Sequence, residues 1–251
     1  MYINLSGFNI LVTGASRGLG KAIATKLAEA GATIAVHYNK NMNEAESLAQ
    51  VLGNESKAFQ ADLSDPGEAV KLFERVVLEL GSIEILINNA GIAILKTLPE
   101  LTLADYNRQM LVNMTSVFLG TQKAVAVMRE TGVKGSIINM SSVAALVGVP
   151  ACSAYAAAKG GVIGFTKTIA AETAAEGIRC NTIHPGLIDT NMQRRSSVDN
   201  PEEYVKLNAA VPMGYMGPPQ TIADAALFLV SDLSTYMTGA QMVIDGGLIN
   251  Q

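Results

Sequence analysis

Seven short apolar runs, rich in β-branched residues, alternate along this chain with longer segments of helical periodicity. That alternation limits the possible folds more than any other feature of the sequence. Residues 8–13 (FNILVT), 32–38 (ATIAVHY), 57–61, 83–88 (IEILIN), 135–140 (GSIINM), 178–184 and 241–245 read as strands. Residues 18–30, 43–52, 66–80, 103–130, 155–176 and 221–231 read as helices. Strands without a polar face belong in a parallel sheet covered on both sides, because each connection must return over one face. Right-handed crossovers then give an α/β, doubly wound parallel sheet of about seven strands flanked by helices on both faces. No repeat, low-complexity tract or linker interrupts the pattern, so residues 1–251 are expected to form one domain. The exception is 189–217, a connection rich in Pro, Gly and Met. A long connection in a compact domain is usually functional or mobile, and this one is read as a substrate lid.

Composition excludes several classes. Lys plus Arg number 18 and Asp plus Glu 22, a net charge of −4, without the basic excess of a nucleic-acid or anionic-membrane binder. The only cysteines are Cys152 and Cys180 and the only histidines His37 and His184, so neither a disulfide framework nor a zinc site is expected. The opening residues lack a basic segment followed by an apolar one. The longest uncharged stretch, 135–158, is broken by Asn139, Ser141, Gly148 and Pro150 and is not a membrane span. A cytoplasmic protein is expected.

The first strand runs into Thr13-Gly14-Ala15-Ser16-Arg17-Gly18-Leu19-Gly20. Glycines there permit a tight strand-to-helix turn and a close approach to a pyrophosphate, which the helix N-terminus attracts. The spacing is GxxxGxG rather than GxGxxG, and its place between strand and helix is what gives it weight. A carboxylate at the end of the second strand would hold an NAD ribose and repel a 2′-phosphate. Here stand His37-Tyr38-Asn39-Lys40, with Arg17 nearby, so NADP(H) is expected over NAD(H). Asp62, past the third strand, either accepts from the adenine amino group or caps the next helix. Asn88-Asn89-Ala90-Gly91 puts small and amide residues where backbone would pass the cofactor.

Tyr155 and Lys159 stand four apart and share a helix face. A phenol titrates near pH 10, and a nearby ammonium is expected to lower that value toward the working range. Such a pair can exchange a proton with an alcohol or ketone oxygen. Ser142, after the fifth strand, is placed to hydrogen-bond the same oxygen. Asn113 offers an amide that could hold a water between Lys159 and solvent.

Together these motifs resemble the classical short-chain dehydrogenase/reductase family over essentially the whole chain. Residues 13–20 match its TGxxxGxG, 88–91 its NNAG, Tyr155 and Lys159 its YxxxK, and Pro185-Gly186 its PG turn. Asn113 and Ser142 stand at the corresponding positions. The resemblance implies a Rossmann-type fold, Tyr155 as general acid/base, Lys159 holding the nicotinamide ribose, Ser142 positioning substrate and Asn113 completing a proton relay. It further implies a cofactor surface of Gly14, Ser16, Arg17, Gly18, Leu19, Gly20, Tyr38, Asn39, Lys40, Asp62, Leu63, Asn89, Ala90, Gly91, Tyr155, Lys159, Pro185, Gly186, Ile188 and Thr190.

The family specifies reaction type better than substrate. Ile94, Ser142, Val143, Cys152, Tyr155, Leu187, Met192 and Leu207 are the expected pocket, an apolar one suited to a hydrophobic ketone or secondary alcohol. The runner-up is a 3-oxoacyl-(acyl-carrier-protein) reductase. Such reductases present an Arg before the fifth strand and another at the end of the catalytic helix. Those positions hold Val133, beside Lys134, and Glu176, which is expected to repel an acidic carrier. Cys152 reads as a small wall residue and His184 as structural. A cofactor-binding regulator would be expected to lack Tyr155 or Lys159. A related epimerase would carry another glycine spacing and a larger C-terminal domain. In this family the helices bearing Asn113 and Tyr155 commonly pair between subunits, so a homotetramer is expected, with a dimer as alternative.

Overall fold

In the computed structural model, which describes residues 3–190 and 201–250, seven strands form one parallel sheet in the order β3-β2-β1-β4-β5-β6-β7. The strands are β1 Asn9–Val12, β2 Thr33–Tyr38, β3 Lys57–Gln60, β4 Ile85–Asn88, β5 Ser136–Met140, β6 Arg179–Pro185 and β7 Gln241–Ile244. The helices are α1 Gly18–Glu29, α2 Met42–Leu52, α3 Pro66–Leu80, α4 Leu103–Met110, α5 Ser116–Thr131, α6 Ser153–Thr173, α7 Pro201–Ala210 and α8 Pro219–Val230.

Alternation along each strand sorts the core into two layers. Ile10 and Val12, Ile34 and Val36, Ile85 and Ile87 face one side, against Ile23 and Leu27 of α1, Leu48 of α2 and Leu229 of α8. Leu11, Ala35, Leu86 and Ile137 face the other, against Leu72 and Phe73 of α3, Met128 of α5 and Ala170 of α6. The doubly wound sheet read from the alternation is the sheet observed, with strand ends displaced by one or two residues.

Local chemistry sets the helix ends. Asp65 accepts from the Gly67 and Glu68 amides ahead of Pro66 and so caps α3. Thr102 and Asp105 form a reciprocal capping box on α4.

One expectation needs correction. The single helix expected over 103–130 is two helices joined by a π-helical turn, Leu111–Thr115, in which Ser116 N donates to Leu111 O. The connection 189–217, read as a substrate lid, contains α7. Its two ends meet: Ile188 bridges Gly217, Gly217 N donates to Leu187 O, and Asp189 N donates to Gly217 O.

Candidate active site

The strand order reverses between β1 and β4, and in open α/β sheets the crevice beyond the carboxyl ends at such a switch is where ligands bind. The turns after these two strands are tied together there. Thr13 Oγ1 accepts from the Asn89 and Ala90 amides at 2.9 and 3.0 Å, and Asn89 Nδ2 donates to Thr13 O at 2.8 Å. Gly14 adopts φ +66, and a Cβ on Gly20 would lie 2.3 Å from Gly14 O. Only glycine closes this turn. At the start of α1, Arg17 makes no side-chain cap bond and the first turn holds no acidic residue. A Cβ on Gly18 would meet nothing within 4 Å. The turn therefore offers uncapped amides, open space and an exposed arginine, a donor set that fits a phosphate group.

The far end of this crevice is formed by β2 and β3. Tyr38 is buried, while Asn39 and Lys40 are exposed. Asp62 does not cap α3, which Asp65 does. Its carboxylate instead accepts from Ser64 N and Oγ at 2.9 and 2.7 Å, and these bonds hold its pKa below the usual carboxylate range. It is thus an anionic acceptor at the crevice rim, next to buried Leu63.

Ser142, Tyr155 and Lys159 converge beyond the end of β5. The Ser142 hydroxyl hydrogen-bonds the Tyr155 phenol and accepts from Ala144 N at 3.2 Å. Lys159 is wholly buried, its Nζ 5.9 Å from the Tyr155 ring centroid and donating to Met140 O at 2.6 Å. Ser141 Oγ donates to Lys159 O at 2.9 Å, so both ends of this lysine strap α6 to β5. Burial pushes the Lys159 ammonium down to about 8. Burial also pushes the Tyr155 phenol up, and the Ser142 bond offsets this only in part. The expected lowering of the phenol is therefore not the direction found: desolvation is the largest influence and raises it. Tyr155 therefore keeps its proton at neutral pH.

Asn113 lies in the π turn and is fully buried. Its Oδ1 accepts from Ile92 N at 2.9 Å and its Nδ2 donates to Ile92 O at 2.8 Å. These two bonds tie the amide to the loop after β4 and leave it a second amide hydrogen and a second oxygen lone pair. A Cβ on Gly91 would fall 3.0 Å from Asn113 Oδ1 and 3.7 Å from Lys159 Nζ, which places this loop against the catalytic side chains. One turn earlier Gln109, equally buried, makes the same pair of bonds to the Ile94 backbone at 3.0 and 3.3 Å. Gln109 was missed by the motif reading. Its signal was an amide four residues before Asn113, on the same helix face.

The remaining sequence-derived positions divide as follows. Lys96 N donates to Ala151 O, which sets the loop carrying Ile94 beside Cys152, and Cys152 precedes Tyr155 by one helical turn. Val143 opens the short turn after Ser142. Pro185 ends β6, and a Cβ on Gly186 would strike Asp245 at 2.6 Å, so the PG turn packs against the end of β7. Leu187, Ile188 and Thr190 follow, the first two within the bridge to Gly217. Leu207 lies half-buried on α7, and Met192 lies outside the described residues. His184 is buried behind the site, its Nε2 2.8 Å from Thr182 Oγ1. Glu176 is not a free negative charge: Arg129 clamps it with two bonds of 2.6 Å. The repulsion of an acidic carrier expected from Glu176 is thereby reduced, although the pair supplies no basic excess either.

Comparison with known proteins follows this geometry. A family model described as enoyl-(acyl carrier protein) reductase matches residues 14–249. The 3β-hydroxysteroid dehydrogenase 1 of Eggerthella lenta is 35% identical, covering 99% of this chain and 96% of that protein. The 3-oxoacyl-(acyl-carrier-protein) reductase of Escherichia coli is 38% identical, covering 98% and 99%. Among solved structures, a candidate short-chain alcohol dehydrogenase from Sinorhizobium meliloti superposes with a TM-score of 0.93 at 32% identity, covering 100% of both chains. Among the described residues, no helix is long and apolar enough to cross a membrane.

Proposed function

The chain belongs to the classical short-chain dehydrogenase/reductase family, and from that premise we propose that it catalyses hydride transfer between NADP(H) and a small hydrophobic ketone or secondary alcohol. The observation that carries the reading is the convergence of a proton-bearing Tyr155, its Ser142 partner and the buried Lys159 beside the switch-point crevice. A bound nicotinamide dinucleotide would supply or accept the hydride. The residues that would hold it are the amides and Arg17 of the glycine turn, Tyr38, Asn39, Lys40, Asp62 and the 89–91 turn, with Lys159, Pro185 and Gly186 at the nicotinamide end.

In the reductive direction Tyr155 Oη donates its proton to the ketone oxygen and Ser142 Oγ donates a second hydrogen bond to that oxygen. Lys159 stabilises the phenolate that results, because an ammonium in a buried site is weakly screened. Asn113 and Gln109 position the 91–94 loop against Lys159, and the hydrogen and lone pair that Asn113 keeps free of Ile92 would hold the water of a proton relay. The preference for NADP(H) is supported by the absence of a carboxylate after β2 and by Arg17 and Lys40, both exposed. A cytoplasmic homotetramer is part of the same proposal.

The test is oxidation of NADPH and of NADH against a panel of aryl, cyclic and diketone substrates, a free β-keto ester and a carrier-linked β-ketoacyl thioester. Fast NADPH oxidation on simple ketones, little improved by the carrier, is the expected outcome. A strong preference for the carrier-linked thioester would select the carrier-protein reductase instead, consistent with the Escherichia coli relative. Light scattering of the purified protein tests the tetramer, and a monomer mass would reject it.

A further inference from the structure

His37 is one of two histidines in the chain, and nothing in the proposed chemistry uses it. It is 2% exposed, at the end of β2. Its Nδ1 accepts from Gly14 N at 2.9 Å, and its Nε2 lies 3.1 Å from Ala61 O. Its backbone oxygen accepts from Ala15 N at 2.8 Å. A single residue of β2 thus takes up two successive amides of the glycine turn on β1 and also touches the end of β3.

These bonds dictate the state of the ring. An acceptor Nδ1 must be unprotonated, so Nε2 carries the hydrogen and donates to Ala61 O. Burial pushes the pKa down to about 4, the nearby Arg75 lowering it further and the Ala61 bond and Asp62 opposing, so the ring stays neutral near pH 7. The Gly14 and Ala15 amides are drawn toward β2. The amides that follow, at the uncapped start of α1, are left to face the crevice.

We propose that His37 is a positioning residue for the dinucleotide: it holds Gly14 so that the turn presents its later amides to a phosphate, and it sets the spacing between Arg17 and the Asn39-Lys40 pair. The proposal rests on the dinucleotide-binding reading above. A side chain in this place controls cofactor affinity without touching the cofactor or the reacting carbonyl.

The experiment measures NADPH and NADH dissociation constants by cofactor fluorescence, with kcat at saturating cofactor, for the wild type and three variants. His37→Phe keeps the ring and removes both polar contacts. His37→Asn keeps an acceptor near the Nδ1 position and gives up the Ala61 contact. His37→Gln keeps a donor near Nε2 and gives up the acceptor. A buried amide deprived of its acceptor is worth about tenfold or more in equilibrium. His37→Phe and His37→Gln are expected to weaken NADPH by about tenfold with kcat nearly unchanged. His37→Asn is expected to recover most of the affinity. Folded His37→Phe and His37→Gln proteins that bind NADPH like the wild type would overturn the proposal, as would His37→Asn failing as badly as His37→Gln. A wild type that binds neither dinucleotide would instead sink the functional reading on which it stands. If His37→Phe does not fold, the Asn and Gln pair still decides.

Discussion

Lys159 should make this protein's stability rise with pH relative to a variant that lacks its ammonium, a comparison in which the opposing titration of Cys180, pushed up to about 12 by burial, cancels. The ammonium is wholly buried and its folded pKa is about 8, against 10.5 for the free side chain. The difference, 10.5 − 8 = 2.5 pH units, corresponds at about 1.4 kcal/mol per unit to about 3 kcal/mol. The sign follows from linkage. Between pH 8 and 10.5 the unfolded chain retains a proton that the folded chain has released, so stability rises with pH across that window. Below pH 8 both states are protonated and the full desolvation cost is present. Lys159→Met removes the titration while keeping a similar length of apolar chain. At any single pH the comparison mixes two effects, because the variant also leaves Met140 O without the Nζ donor, a charge-assisted bond worth about 1.5–3 kcal/mol. The pH dependence separates them, since a lost bond to Met140 O does not titrate. The assay is urea denaturation of both proteins, without added dinucleotide, at intervals across the window. Wild-type stability measured relative to the variant should climb by about 3 kcal/mol. Parallel curves, or a wild type losing ground as pH rises, would refute the claim that desolvation of the Lys159 ammonium outweighs its bond to Met140 O.

Tyr155→Phe should reduce turnover by about 10²–10⁴-fold, the usual worth of a positioned acid, while NADPH affinity measured by fluorescence stays within about twofold. Equal losses in both would mean that the phenol holds the cofactor rather than the proton. Arg17→Ala should weaken NADPH by about tenfold and NADH by little, because only the former carries the 2′-phosphate. Matching losses would remove Arg17 from that contact. Gln109→Leu leaves the Ile94 amide and carbonyl buried without partners, so it should lower stability by about 1–3 kcal/mol and speed hydrogen exchange in residues 92–96. Unchanged exchange there would show that the loop is held from elsewhere.

How much of this was legible beforehand depended on whether a signal was local. The strands and helices were, because apolar runs and glycine stops report burial residue by residue. So was the pairing of Tyr155 with Lys159, because helical spacing alone puts them on one face. The π turn was not: one extra residue in a helix spanning 103–131 leaves the apolar periodicity on either side nearly intact. Asn113 was found as a position, but sequence cannot show that its amide bonds both ends of the Ile92 backbone. The direction of the Tyr155 shift was misjudged for a related reason. The ammonium was visible in the sequence, but the desolvation that raises the phenol depends on the whole packed shell. Glu176 was read as a free charge because its partner, Arg129, stands 47 residues away.

One of these misreadings has a physical origin that bears on how the site works. Glu176 was misread because its partner, Arg129, comes from a different element, and bonds of the same kind tie Asn113 to the loop after β4, Lys159 to β5 and His37 to the turn after β1. Buried polar groups must be satisfied, so such bonds tie the elements around the crevice to one another as firmly as apolar contact does. The side chains assigned to proton transfer and to phosphate recognition therefore stand on backbone that is cross-linked from several directions. Such cross-linking favours catalysis by donors already fixed where charge develops, because no reorganisation is then needed during the reaction. The described apolar positions after β6 are also tied across elements: Ile188 bridges Gly217, Asn208 Oδ1 accepts from Met216 N, and Met213 N donates to Gly246 O beyond β7.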